Sequence, residues 1–206
     1  MKILAVSDHV ADEIYNGRIE ERFGDVDLVV SCGDLPYSYL EYIVSVLNVP
    51  CFYVHGNHDH PECCANGTTL TEPGGWVDLH GTTAEAKGVL LAGLEGSILY
   101  KPRARYQYTE RHMAVQAWCL APALLLNRLR HGRYLDVLIT HSPPRGIHDG
   151  DDLPHRGFRS FLGLMRRFKP RYLLHGHKHV YGPEATRTRY AETEVINVYP
   201  FRVIPY

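Results

Sequence analysis

Asp8-His9, Gly33-Asp34, Gly56-Asn57-His58-Asp59, His141 and Gly176-His177-Lys178-His179 share one station in the chain: each directly follows a short apolar run. A Gly-Asp after a strand is ordinary turn chemistry, and a lone strand-end histidine is ordinarily a hydrogen-bonded surface residue. Recurrence changes the reading, because turns do not require histidine and here it returns at the same station. In α/β sheets ligands gather outside the carboxyl ends of strands, so the clusters are expected to converge on one site. The side chains on offer, Asp8, Asp34, Asn57, His141, His177 and His179, are oxygen and nitrogen donors with no thiol among them. That set suits Mn, Fe or Zn rather than a sulfur-built structural zinc. It also exceeds what one tetrahedral ion takes. Two divalent ions about 3.5–4 Å apart, sharing one carboxylate, would use it, and such a pair stabilises both the attacking and leaving oxygens of phosphoryl transfer. His58 is left over. Beside Asp59, which would orient its imidazole and hold it protonated, it suits the acid that protonates a leaving group.

The elements that must position these residues are legible as short, β-branched-rich runs without alternation, the pattern of buried strands. They are residues 2–6, 26–31, 49–54, 135–140 and 171–175, with 88–93 and 193–198 reading the same way less distinctly. Helical spacing appears in Leu40, Ile43, Val44 and Leu47 behind Pro36. It recurs in Phe158, Phe161, Leu162, Met165 and Phe168, which Pro170 terminates. A third helix is expected from Thr109 towards Arg130, kinked or broken at Pro122. Strands alternating with helices imply a layered α/β fold.

Composition narrows the partners. The chain has 206 residues, 45% of them apolar, enough for one sizeable core, and residues 1–206 are expected to form one domain. Lys plus Arg number 22 against 23 Asp plus Glu, which gives no general attraction to polyanions, so a nucleic-acid partner is not expected. The first residues lack the pattern of a secretory signal and no apolar run reaches spanning length, so the expectation is a cytoplasmic protein with no membrane partner. Five cysteines, an odd number, suit reduced thiols better than a disulfide framework. Asn66-Gly67-Thr68 has the form of a glycosylation acceptor, which carries no weight without secretion.

The ordered set of Asp8, Gly33-Asp34, "GNHD" at 56–59, "THSPP" at 140–144 and "GHKH" at 176–179 resembles the calcineurin-like metallophosphoesterase superfamily, over nearly the whole chain. The resemblance implies two packed mixed β-sheets flanked by helices and a dimetal hydrolase of phosphate esters using a metal-activated hydroxide. By position it implies that Asp34 bridges the ions and that Asn57, His141 and His177 complete the second site. Asp8 and His179 would serve the first, and His58 would act on a small-molecule phosphoester. The segments "THSPPRGIHD" and "TEVINVYP" resemble the small bacterial-type phosphodiesterase branch that includes class III cyclic-nucleotide enzymes.

One departure stands out: the family pattern is Asp-x-His, and this chain has Val10 where the histidine belongs. His9 is no simple substitute, since neighbouring side chains of an extended segment face opposite ways. The first ion is therefore expected to have one protein ligand fewer, leaving His9 to contact substrate or cap the loop. In the loop after His141, Arg156 and then Arg145 are the expected phosphate contacts, and Asp149 or Asp152 the expected orienters of a ligating histidine. The interleaved "YKPRARYQYTERH" at 100–112 offers base stacking, with a solvated approach to a helix favoured. The sequence thus reads as a phosphodiesterase or small-molecule phosphatase. A nuclease or nucleotide-lipid pyrophosphatase is the neighbouring reading, and a catalytically weak metal- and phosphate-binding regulatory module the one from a different class.

Overall fold

The structure, a computed structural model, describes residues 1–64 and 67–206; Asn66 of the acceptor-like triplet lies outside them. In chain order the first half runs β1 (Lys2–Val6), α1 (Ile19–Phe23), β2 (Leu28–Ser31), α2 (Tyr37–Leu47), β3 (Cys51–Tyr53), β4 (Glu62–Cys63), β5 (Thr69–Leu70), β6 (Val77–Asp78), β7 (Thr83–Ala86) and β8 (Val89–Leu94). The second runs β9 (Ser97–Ile98), β10 (Gln107–Tyr108), α3 (Glu110–Cys119), α4 (Ala121–His131), β11 (Val137–Thr140), α5 (Arg159–Phe168), β12 (Tyr172–His175), β13 (Arg187–Tyr190), β14 (Thr193–Asn197) and β15 (Phe201–Pro205).

Two large mixed sheets result, ordered β15-β1-β2-β3-β6 and β13-β14-β12-β11-β8-β7, beside the two-stranded pairs β10-β9 and β4-β5. The strands that lead into the polar clusters are parallel within each sheet, β1 with β2 with β3, and β11 with β12. Antiparallel strands close the edges at β15, β13 and β7. Apolar residues of both sheets, among them Ile3, Val30, Phe52, Leu91, Ile139 and Leu174, form one cluster between them. The outer face of the first sheet buries α1 and α2, and that of the second buries α3, α4 and α5. A strand buried on both faces must be apolar throughout, which is why these runs do not alternate.

The helices break where the sequence says they should. Pro122 sits in the first turn of α4, where its missing N–H costs nothing, and Leu120 ends α3 just before it. Phe161, Leu164, Met165 and Phe168 form the buried stripe of α5, each contributing about 2 kcal/mol of burial. Packing the two sheets face to face brings the carboxyl ends of β1, β2 and β3 alongside those of β11 and β12.

Candidate metal centre

Three residues of that seam, Asp8, Asp34 and His177, have φ of 63°, 57° and 67°. Non-glycine residues enter this left-handed region at a cost of roughly 1–2 kcal/mol, so three at one seam is a concentration of strain offset by the surrounding fold. Each strand here ends abruptly and throws the next side chain inward. The turn after β3 must pass very close: a Cβ on Gly56 would overlap the Asp34 carboxylate, and one on Gly176 would overlap Ser7 and Asp8.

Donors from both sheets then meet at the fully buried His141. Its Nε2 lies 3.0 Å from Asn57 Oδ1, 3.0 Å from His177 Nδ1 and 3.3 Å from Asp34 Oδ2. Backbone carbonyls set the tautomers. His141 Nδ1 donates to Cys32 O at 2.8 Å, and His177 Nε2 donates to Pro154 O at 2.7 Å. The amide of Asn57 is turned by its Nδ2, which donates to the Tyr100 hydroxyl at 3.1 Å. With those donors engaged outward, Asn57 Oδ1, Asp34 Oδ2, His141 Nε2 and His177 Nδ1 aim lone pairs at one another. Four acceptors this close repel unless a proton on His141 Nε2 or a cation lies between them, and the O/N set is the one divalent Mn, Fe or Zn accept.

The titration of the group follows from the same crowding. Burial alone would raise the Asp34 pKa, but His141 beside it brings it down to about 2. Burial alone would lower that of His141, and Asp34 instead lifts it to about 9. Burial, reinforced by His141, pushes His177 down to about 3.

Asp8 and His179 form a looser flank. Burial raises the Asp8 pKa, against the pull of His141. Its carboxylate accepts from Ser7 Oγ and from the His177 N–H at 2.9 Å, and its Oδ1 is 3.8 Å from His179 Nε2. His179 stacks on Tyr199 with ring centroids 4.5 Å apart and hydrogen-bonds the Tyr181 hydroxyl through Nδ1 at 2.9 Å. Val10 packs against the apolar cluster under the first sheet. His9 is exposed, 6.4 Å from the Tyr199 ring, and does not line the cleft.

That cleft, of about 570 Å³, is lined by Asp8, Asp34, His58, Tyr100, Asp152, His155, His177, Lys178, His179 and Tyr181, among others. His58 is anchored by its backbone, whose N–H donates to Asp34 Oδ1 at 2.8 Å, leaving the imidazole exposed in the cleft. Asp59 does not reach that imidazole: its Oδ2 accepts from the Gly56 N–H at 2.8 Å, so it latches the loop. Burial and the nearby Asp34 raise its pKa to about 6. Arg145 is likewise committed elsewhere, to Asp149 at 3.0 Å, because Asp149 also fastens the Gly146 and Gly157 amides and closes the loop. Arg156 is exposed and outside the cleft lining. Nor do Asp149 and Asp152 hold His141 or His177, the candidate ligands. Carbonyls do that, and Asp152 instead pairs with His155 Nδ1 at 2.7 Å.

Sequence reasoning gave no role at the centre to Tyr100, Lys178 or the carbonyls of Cys32 and Pro154, and only the Tyr100 region carried a signal, its interleaved aromatics. Of those, Tyr106 stacks on buried His55 at 4.4 Å and Tyr108 hydrogen-bonds Glu95, so they pack inward. A second grouping of His55, Asp78 and Glu95 belongs to this network, where both Glu95 oxygens are already engaged by His55, His80 and Tyr108.

The family model of calcineurin-like phosphoesterases matches residues 1–181. The chain belongs to that family. The family is dimetal-dependent, and this chain carries a candidate metal-binding group at Asp34, His141 and His177. The fold agrees with solved structures. TT1561 of Thermus thermophilus is similar at a TM-score of 0.65 and 19% identity, covering 96% of this chain and 88% of that one. GAP50 of Plasmodium, described as the anchor in the inner membrane complex, is similar at a TM-score of 0.53 and 12% identity, covering 96% and 70%. No curated protein sequence matches the chain significantly.

Proposed function

We propose that this calcineurin-like phosphoesterase hydrolyses small phosphodiesters or phosphomonoesters in the cleft above His141. The observation that supports this best is the convergence of four lone-pair donors whose outward partners are fixed by Cys32 O, Pro154 O and Tyr100. Asp34, Asn57, His141 and His177 would hold one divalent ion, and Asp8 with His179 a second that shares Asp34. Bound there, such ions supply Lewis-acid stabilisation of phosphoryl oxygens and a nucleophile at neutral pH. The chain's own groups do the rest. His58 stands free in the cleft, anchored through its N–H, to protonate the departing oxygen. Lys178 and His155 line the cleft, on exposed pairs with Glu184 and Asp152 that a phosphate oxygen can displace. They are better placed for that oxygen than Arg145, which is neutralised by the half-buried loop carboxylate of Asp149, or Arg156 outside the lining. Tyr100 and Tyr181 give the cleft aromatic walls for the ester group. All five cysteines are free, which supports a reducing, cytoplasmic setting.

Val10 favours a second reading, a metal- and phosphate-binding module of little activity, whereas a freely placed His58 favours turnover. Metal-stripped protein titrated with manganese and assayed on a chromogenic bis-phosphodiester and the matching monoester separates the two. Turnover that tracks metal uptake is expected. Stoichiometric metal without hydrolysis of any phosphoester overturns the enzyme in favour of the module.

A further inference from the structure

The helical layer over the second sheet has a charge balance unlike the rest of the chain. From Arg111 to Leu135 and from Leu153 to Pro183 there is no Asp or Glu, although acidic and basic residues are nearly equal overall. Arg111, Arg128, Arg130, Arg159, Arg166 and Arg167 are exposed. Among the described residues the ion pairs of α3, α4, α5 and the turns that end them come from His131, Arg133 and Lys169, and the six arginines make none.

On the same layer α4 turns an apolar side outward. Leu124 is its buried residue, while Leu125, Leu126 and Leu129 are 47%, 43% and 83% exposed. At about 100° per residue, Leu125, Leu129, Pro122 and Leu126 form one arc, with Arg128 on one margin and Arg130 on the other. The outward side of α3 continues the pattern with Arg111, Val115 and Trp118, the last two 55% and 67% exposed. Apolar side chains so displayed contribute nothing to the core and mark a surface that is covered in use.

The charges decide the occupant. A second copy would set arginines against arginines, and the one carboxylate of the three helices, Glu110 at the start of α3, is already engaged by the Arg159 and Ser160 N–H groups at 2.9 and 2.8 Å, so the like-charge juxtaposition disfavours self-pairing. A surface with anionic groups outside and hydrocarbon beneath satisfies both parts: headgroups meet the arginines, the leucines enter the acyl boundary, and Trp118 sits at the interface. We propose that this face docks the protein peripherally on an anionic lipid bilayer. No helix among the described residues is long and apolar enough to cross a membrane. The expectation of no membrane partner rested on span length, which governs crossing a bilayer and not lying on one.

The test is flotation of the full chain with phosphatidylcholine vesicles against vesicles one third phosphatidylserine. Flotation with the anionic vesicles alone is expected, together with a blue shift of tryptophan emission from Trp118, since Trp76 is buried beforehand. Each arginine near an anionic surface strengthens binding about fivefold, so Arg128→Gln with Arg130→Gln weakens it about 25-fold. Leu129→Asp, at a site too exposed to disturb folding, abolishes flotation while hydrolysis in solution and the thermal midpoint stay unchanged. Three results overturn the proposal: no flotation, equal flotation with neutral vesicles, or a Leu129→Asp protein that floats like the parent. A concentration-dependent dimer dissolved by Leu129→Asp, without flotation, assigns the face to a second copy instead.

Discussion

The two flanks of the candidate metal centre come from the same strand ends and differ in how firmly they are built. On one flank three donors, Asn57, Asp34 and His177, surround buried His141, and each of the four is held from behind by a hydrogen bond or a glycine-tight turn. On the other, Asp8 is buried but His179 is 43% exposed, 3.8 Å away, and leans on Tyr199 and Tyr181. Orientation of a ligand is worth as much as its presence, because every freely rotating donor must be ordered when an ion binds. The firm flank is therefore expected to fill first and the loose one to fill weakly.

The hardest way to break that contrast is to remove the shared carboxylate. Asp34→Ala should empty both flanks, with metal content near zero and hydrolysis down more than about 100-fold, beyond what loss of a mere supporting partner costs. His58→Ala should separate chemistry from metal: turnover falls by roughly 10²–10⁴-fold while metal content by elemental analysis is unchanged. Parallel loss of metal would show His58 to be part of the scaffold instead. Tyr100→Phe frees the Asn57 amide to rotate, so affinity on the firm flank should fall about 10-fold by isothermal titration, with the fold intact. Val10→His should act on the loose flank alone, tightening the ion at Asp8 and His179 by about 10-fold at most. Withdrawing Val10 from its apolar packing should lower stability by about 1 kcal/mol in denaturant unfolding. If the ion at Asp8 and His179 is no tighter in that variant, ligand count is not what distinguishes the flanks.

Much of this arrangement was legible in the chain, and the reasons are local. Strands such as Lys2–Val6 and Val137–Thr140 are apolar throughout because both faces are covered, and such runs stand out against polar surroundings. Asp8, Asp34, Asn57, His141, His177 and His179 were visible as candidates because each lies within four residues of its strand end. The short helix Ile19–Phe23 and the edge strand Phe201–Pro205 were not read, since five residues hold too little periodicity. For Asp59, Arg145 and Arg156, proximity in sequence to a candidate ligand does not carry over to proximity in space. The loops fold back, so Asp59 caps Gly56 and Arg145 neutralises Asp149.

By itself, then, the sequence determined the kinds of donor atoms, their order along the chain and the strand ends that carry them, because residue type and apolar patterning are properties of contiguous segments. Tertiary structure decided which donors face one another and which nitrogen of each histidine is free. The carbonyls of Cys32 and Pro154 and the Tyr100 hydroxyl settle that, and they lie 109, 23 and 43 residues from the side chains they orient. It also decided that α4 would show leucines to the outside. A helical pattern gives an apolar arc but not which side the core occupies, and Leu124 rather than Leu129 was drawn in when α4 packed on the second sheet.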